Sequence, residues 1–156
     1  MLLAKVFKRH ANGKLNLKLE TYDTDQQKYT DVVSNMKKEK YKQVILNSEI
    51  MLMIIEKVLK LKGMLMKIEF EDTTDSEIIE EIDHIVKKIR EESVIYYEDL
   101  LKLLHWTSDN NSIDLRKLTV SLEVNKYEIY SNGIIEGENF DELFQKVIVP
   151  VLEKYL

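Results

Sequence analysis

The sequence predicts an α+β fold: a mainly antiparallel sheet with N- and C-terminal hairpins, packed against about five helices in a single domain over residues 1–156. Three observations carry this. Period-two alternation around an Asn-Gly pair occurs near both ends of the chain. Apolar stripes at helical spacing recur between and after those segments. The composition, 44% hydrophobic and 33% charged with one Pro and four Gly, suits a compact soluble chain and argues against disorder.

Residues 3–10 and 14–22 flank Asn12-Gly13, which can supply both positive φ angles of a type I′ turn. The expected antiparallel register sets Lys5 opposite Glu20, Val6 opposite Leu19 and Lys8 opposite Leu17. Ala4, Val6, Leu15, Leu17 and Leu19 then share one face. Lys5, Phe7, Arg9, Asn16 and Lys18 share the other, so most of the basic groups fall on one solvated face. Residues 23–63 read as helical, with a break whose position the pattern does not set. The stronger stretch is the later one: Ile50, Met51, Ile54, Ile55, Val58 and Leu59 form a stripe that Leu52 and Met53 broaden, as in a central helix. Ser48 is the expected N-cap and Gly63 the expected C′ residue. Lys57, Lys60 and Lys62 sit where the helix dipole favours cations.

Residues 64–71 alternate Met64, Met66, Ile68 and Phe70 against Lys67, Glu69 and Glu71, the pattern of a half-buried strand. Thr74 and Glu77 stand at capping-box spacing before a stripe of Ile78, Ile79, Ile82, Ile85, Val86 and Ile89. A second helix is expected at about 97–106, then a polar loop at 107–112. Residues 112–124 fork. Val120, Leu122 and Val124 alternate as a strand, whereas Leu115, Leu118 and Leu122 also fit a helix; the β-branched content tilts the balance toward strands. Asn139 and Glu142 are placed to cap a final helix, in which Pro150 should cause a bend or a restart.

Cysteine is absent, so disulfides and thiolate metal sites are excluded. The longest apolar run, Ile50 to Ile55, is far short of a membrane span, and the start "MLLAKVFKRH" does not read as a signal peptide. No membrane association and a cytoplasmic location are therefore expected. The net charge of −5 is unevenly distributed. Residues 1–68 are basic, with fourteen Lys/Arg against seven Asp/Glu, a balance of +7. Residues 69–156 are acidic, with nine against twenty-one, a balance of −12. Such asymmetry points to an anionic partner on one side, unless the two halves pack together and cancel.

Catalytic motifs are lacking. There is no nucleophile elbow, no Ser-His constellation and no Gly-rich phosphate loop, and no cofactor is implied. Glu81 and His84 have the Glu-x-x-His spacing of di-iron bundles without a second copy, so a solvated helix face is the simpler account. The acidic cluster of Asp72, Asp75, Glu77, Glu80, Glu81 and Asp83 could serve a metal-dependent nuclease. The usual acid-x-Lys strand order is reversed here, in Lys18-Leu19-Glu20 and Lys67-Ile68-Glu69.

The leading expectation is a non-catalytic binding protein with nucleic acid as ligand, held by Lys5, Lys8, Arg9, Lys14, Lys18, Lys37 and Lys38. Lys40 and Lys42 extend the patch if the fold brings them close, while the scarcity of Arg (three, against twenty Lys) counts against base-edge readout. A winged helix over 76–137 would be a second route to nucleic acid, and it requires the helical branch at 112–124. The alternative is an acidic inhibitor or adaptor that binds a basic protein through 69–92 and 107–114. A metal-dependent nuclease stands third. Nucleic acid and protein thus both remain candidate partners, and the oligomeric state is left open.

Overall fold

The computed structural model describes residues 1–71, 76–92, 98–100, 102–103 and 114–156. Asn12 (φ 54°) and Gly13 (φ 73°) both take left-handed backbone and join β1 (Leu2–Ala11) to β2 (Lys14–Asp23). The pairing is the one expected from the turn, with Lys5 opposite Glu20, Val6 opposite Leu19 and Lys8 opposite Leu17. The chain continues through α1 (Tyr29–Lys38), β3 (Lys42–Gln43), α2 (Ser48–Lys60), β4 (Met64–Phe70) and α3 (Ser76–Glu92). A short helical piece lies at residues 98–100 and 102–103. Then come β5 (Leu115–Leu122), β6 (Asn125–Tyr130), β7 (Ile134–Gly137) and a C-terminal helix. All seven strands form one antiparallel sheet in the order β2-β1-β7-β6-β5-β4, with β3 also paired to β1. The fold is therefore α+β.

β7 and β3 share the same edge of β1. β7 pairs with Leu3, Ala4 and Lys5, and β3 pairs with Phe7 and Lys8. Between them Val6 donates its N–H to the Gly133 carbonyl (3.1 Å) and accepts one from Val44 (3.3 Å). This junction needs a glycine at 133. A Cβ there would lie 2.5 Å from the Val44 carbonyl oxygen, and its φ is +83°. The two Asn-Gly pairs thus make different turns. Asn12-Gly13 is a two-residue turn, while Ser131-Asn132-Gly133 is a three-residue loop closed by Gly133 N–H to Tyr130 O (2.9 Å).

One sheet face carries Ala4, Val6, Val120, Leu122, Tyr127, Ile129 and Ile135, and it packs in the main core with α2, α3 and the C-terminal helix. Ile50, Met51, Leu52, Ile54, Ile55 and Val58 are all buried, so α2 is central, as its broad stripe predicts. Its N-cap is Asn47 rather than Ser48, because the Asn47 side chain accepts from Ile50 N–H (2.8 Å) while Ser48 Oγ accepts from Leu115 N–H (3.1 Å). At its other end Lys62 (φ 63°), not Gly63, takes the left-handed C′ position. Gly63 serves close approach instead, since a Cβ would sit 2.6 Å from the Ser121 carbonyl oxygen.

One further expectation is corrected, and two open readings are decided. The alternation in β4 is interrupted by a register shift between Leu65 and Lys67, so Leu65, Ile68 and Phe70 are buried while Met64 is exposed. Residues 115–122 are strand, which removes the helical branch and with it the winged helix over 76–137. The break in 23–63 is an extended connector: Val44 and Leu46 bury against β1 and the 131–133 turn, and Leu46 N–H reaches Ser131 O (2.7 Å).

The C-terminal helix begins at α4 (Phe140–Leu143), passes through a π-helical turn (Phe144–Ile148) and ends as α5 (Val149–Tyr155). Pro150 has no N–H for the Lys146 carbonyl, and Val149 N–H reaches back five residues to Phe144 O. The restart expected at Pro150 takes that form. Asn139 does not cap a backbone N–H; its amide meets the Glu142 carboxylate instead (2.9 Å). Thr74, the loop 107–112 and the rest of the helix expected at 97–106 lie outside the described residues.

Candidate nucleic-acid interface

Lys5, Phe7, Arg9, Lys18 and Tyr22 do share one face of the hairpin, but that face is covered. Val32 and Met36, one helical turn apart on α1, pack onto Phe7 and Tyr22 to make a second small core, with Leu3, Val33 and Tyr41 at its margin. The expected solvated basic face is therefore corrected. The period-two pattern placed these residues together, and the amphipathic α1, whose pattern is weak in sequence, closes over them.

Lys5 shows the consequence most clearly. It is 0% exposed. Its Nζ donates to the Asn132 carbonyl and lies 5.9 Å from the Phe7 ring centre and 5.5 Å from that of Tyr29. Its cross-strand partner Glu20 turns instead to Lys18 (3.5 Å). Burial without a carboxylate pushes the Lys5 amine down to about 8. Arg9 is also committed. Its guanidinium stacks 4.5 Å from the Tyr41 ring centre and donates to the Glu39 carbonyl (3.2 Å). Lys18 contacts Glu20 and Glu39 (3.6 Å) and lies 5.6 Å from the same Tyr41 ring.

The other four expected residues are placed differently. Lys14 is exposed beside the turn, Lys8 is half-buried, and Lys37 and Lys38 are exposed in the last turn of α1. Beyond that helix the chain ends in a tight cap. Lys40 (φ 71°) is left-handed, its N–H reaches Lys37 O (3.0 Å), and Tyr41 N–H reaches Met36 O (3.0 Å). This cap turns the chain into β3 and opens a cleft of about 480 Å³ lined by Phe7, Val33, Lys37, Lys40, Tyr41, Lys42 and Gln43. Its apolar side is Val33 and Tyr41 over the fully buried Phe7. Three lysines line the rest, and none of its described lining residues is acidic.

Two details concern the charge. Lys42 is the cross-strand partner of Lys8, a like-charge pairing that is unfavourable in the absence of an anion. Gln43, which also lines the cleft, accepts from the Tyr29 hydroxyl (2.5 Å). Tyr29, Val33, Tyr41 and Gln43 escape the sequence reasoning. The alternation of basic and aromatic residues in Lys40-Tyr41-Lys42 is the one local signal that marks the place.

On the acidic side, Glu77, Glu80, Glu81, Asp83 and His84 are exposed on α3, while Asp72 and Asp75 lie outside the described residues. Among the described residues no group of three or more His, Asp or Glu side chains is arranged to hold a metal ion. Among them, too, no helix is long and apolar enough to cross a membrane. Compared with known protein families, curated proteins and solved structures, the chain matches none.

Proposed function

We propose that this chain is a non-catalytic nucleic-acid-binding protein, and that it contacts the nucleic acid with the lysine surface around the end of α1 and β3. The observation that carries this is the cleft lined by Lys37, Lys40 and Lys42 with no acidic lining residue among those described. Lys37 and Lys38 also offset the negative end of the α1 dipole, which would explain them without a ligand. Lys42 lies in β3, beyond the reach of that dipole, and faces Lys8, so its charge has no such structural use. A phosphate backbone would relieve that repulsion. Lysines on a surface suit contacts to phosphate rather than to base edges.

A salt titration of binding to generic DNA and RNA tests the proposal. Affinity should fall steeply as salt rises. Replacing Lys37, Lys40 and Lys42 together with Gln should lower the slope of log K against log salt by about 2 to 3, close to one for each phosphate no longer neutralised. No salt-dependent binding at low ionic strength would refute the proposal.

A further inference from the structure

We infer that the nucleic acid taken by this surface is single-stranded, with one base lying in the cleft against Tyr41 and Val33 and the flanking phosphates on Lys37, Lys40 and Lys42. This rests on the function proposed above and specifies its ligand. The cleft is concave and its floor is apolar. A duplex turns its phosphates outward and keeps its base faces stacked inside, so it has nothing apolar to place there. An unpaired base has an exposed π-face, and aromatic platforms set among cations are the usual receptors for it.

Tyr41 is prepared for this role. Its position is set by the α1 cap, through Tyr41 N–H to Met36 O (3.0 Å). Arg9 and Lys18 lie over its ring at 4.5 and 5.6 Å, so little ordering remains to be done on binding. The same contacts predict weak sequence preference. The one Arg in the region, Arg9, is engaged with Tyr41 and the Glu39 carbonyl and is not available for bidentate readout of a base. Among the described residues that line the cleft, Gln43 is the one with a side-chain amide.

Fluorescence anisotropy on the full chain, at one low salt concentration, decides the matter with four probes. These are a labelled single strand of about ten nucleotides, within the usual site size, the blunt duplex of the same sequence, an abasic strand of the same length, and a free nucleoside monophosphate as competitor. The single strand should bind at least about tenfold tighter than the duplex or the abasic strand, given the energy of one base–aromatic stack. The mononucleotide should compete only weakly. Tyr41→Ala should weaken single-strand binding by about 5- to 100-fold and leave the abasic strand unchanged. Because Tyr41 also supports Arg9 and Lys18, a second readout is needed: 2-aminopurine placed mid-strand should lose fluorescence on binding to the unaltered protein. Equal binding of all the polymers, or unchanged 2-aminopurine emission, would overturn the single-strand inference and leave the proposed function standing. Competition by the mononucleotide at concentrations comparable to the strand would also overturn it. If no probe binds, both fall.

Discussion

Lys5 and Lys117 stand on the same face of the same sheet and are treated in opposite ways. The ladder Lys5–Ile134, Glu136–Glu128 and Tyr130–Lys117 puts them on one side. At the β1 end, α1 covers the face, and Lys5 is buried with a carbonyl and two rings for company. At the β5 end, Lys117 is 16% exposed and pairs with Glu69 (2.8 Å) and Glu128 (3.3 Å). Tyr130, whose ring lies 5.3 Å from Lys117, donates to Glu136 (3.1 Å). Hydrogen bonds to Glu69 and Glu128 hold the Lys117 amine above its ordinary value, and the same contact holds Glu69 below its own. The difference teaches that strand alternation decides only which residues share a face. Whether that face becomes core or charged surface depends on what is laid over it.

The largest expected effect tests the covered end. Phe7→Ala should cost about 3 to 5 kcal/mol in urea denaturation, as for a buried aromatic in a real core. A loss below about 1 kcal/mol would mean that α1 does not form a core with the hairpin.

Next is Lys5→Met, which should stabilise the protein by about 1 to 3 kcal/mol at neutral pH. The gain comes from removing a buried ammonium that has no carboxylate, and it is reduced by the unpaired Asn132 carbonyl. Lys5 titrates at about 8 when folded and near 10.5 when unfolded. Between those values the unfolded chain binds the extra proton, so stability rises with pH across that window. Stability curves should therefore show the wild type gaining on Lys5→Met between pH 8 and about 10. Parallel curves would place Lys5 in a better solvated site than its burial indicates.

The smallest effect belongs to the open end. Lys117→Met should cost about 1 kcal/mol at pH 7, because its partners Glu69 and Glu128 keep 24% and 30% of their side-chain surface in solvent and can be hydrated. Glu69, depressed in the fold, contributes stability that is present above its ordinary value of 4.5 and is lost as pH falls through its folded value. The gap between wild type and Lys117→Met should therefore close on acidification below about pH 5. A gap that stays constant would remove the Glu69 pair as its cause.

Much of this fold follows from sequence, for identifiable reasons. The β1–β2 register is local: Asn12-Gly13 sets the turn and the turn sets every pair after it. The α2 stripe and the effect of Pro150 are equally local, since apolar periodicity and a missing N–H act within a few residues. The alternation in β4 misleads because a bulge between Leu65 and Lys67 arises from pairing with β5, some fifty residues away. Lys62 rather than Gly63 is left-handed because Gly63 is needed where Ser121 comes close, another long-range demand.

The candidate site divides in the same way. The sequence by itself determined that the N-terminal half of the chain is basic, that its hairpin groups Lys5, Arg9 and Lys18, and that lysines crowd the stretch from 37 to 42. Only the tertiary structure decided which of them meet solvent. Burying α1's Val32 and Met36 on Phe7 and Tyr22 withdraws Lys5 from water and occupies Arg9 and Lys18. The same packing turns the chain at Lys40 and sets Tyr41 and Val33 into an open cleft among Lys37, Lys40 and Lys42. Periodicity assigns residues to faces one element at a time, whereas exposure is a property of the assembled surface, fixed by apolar area removed from water across elements distant in the chain.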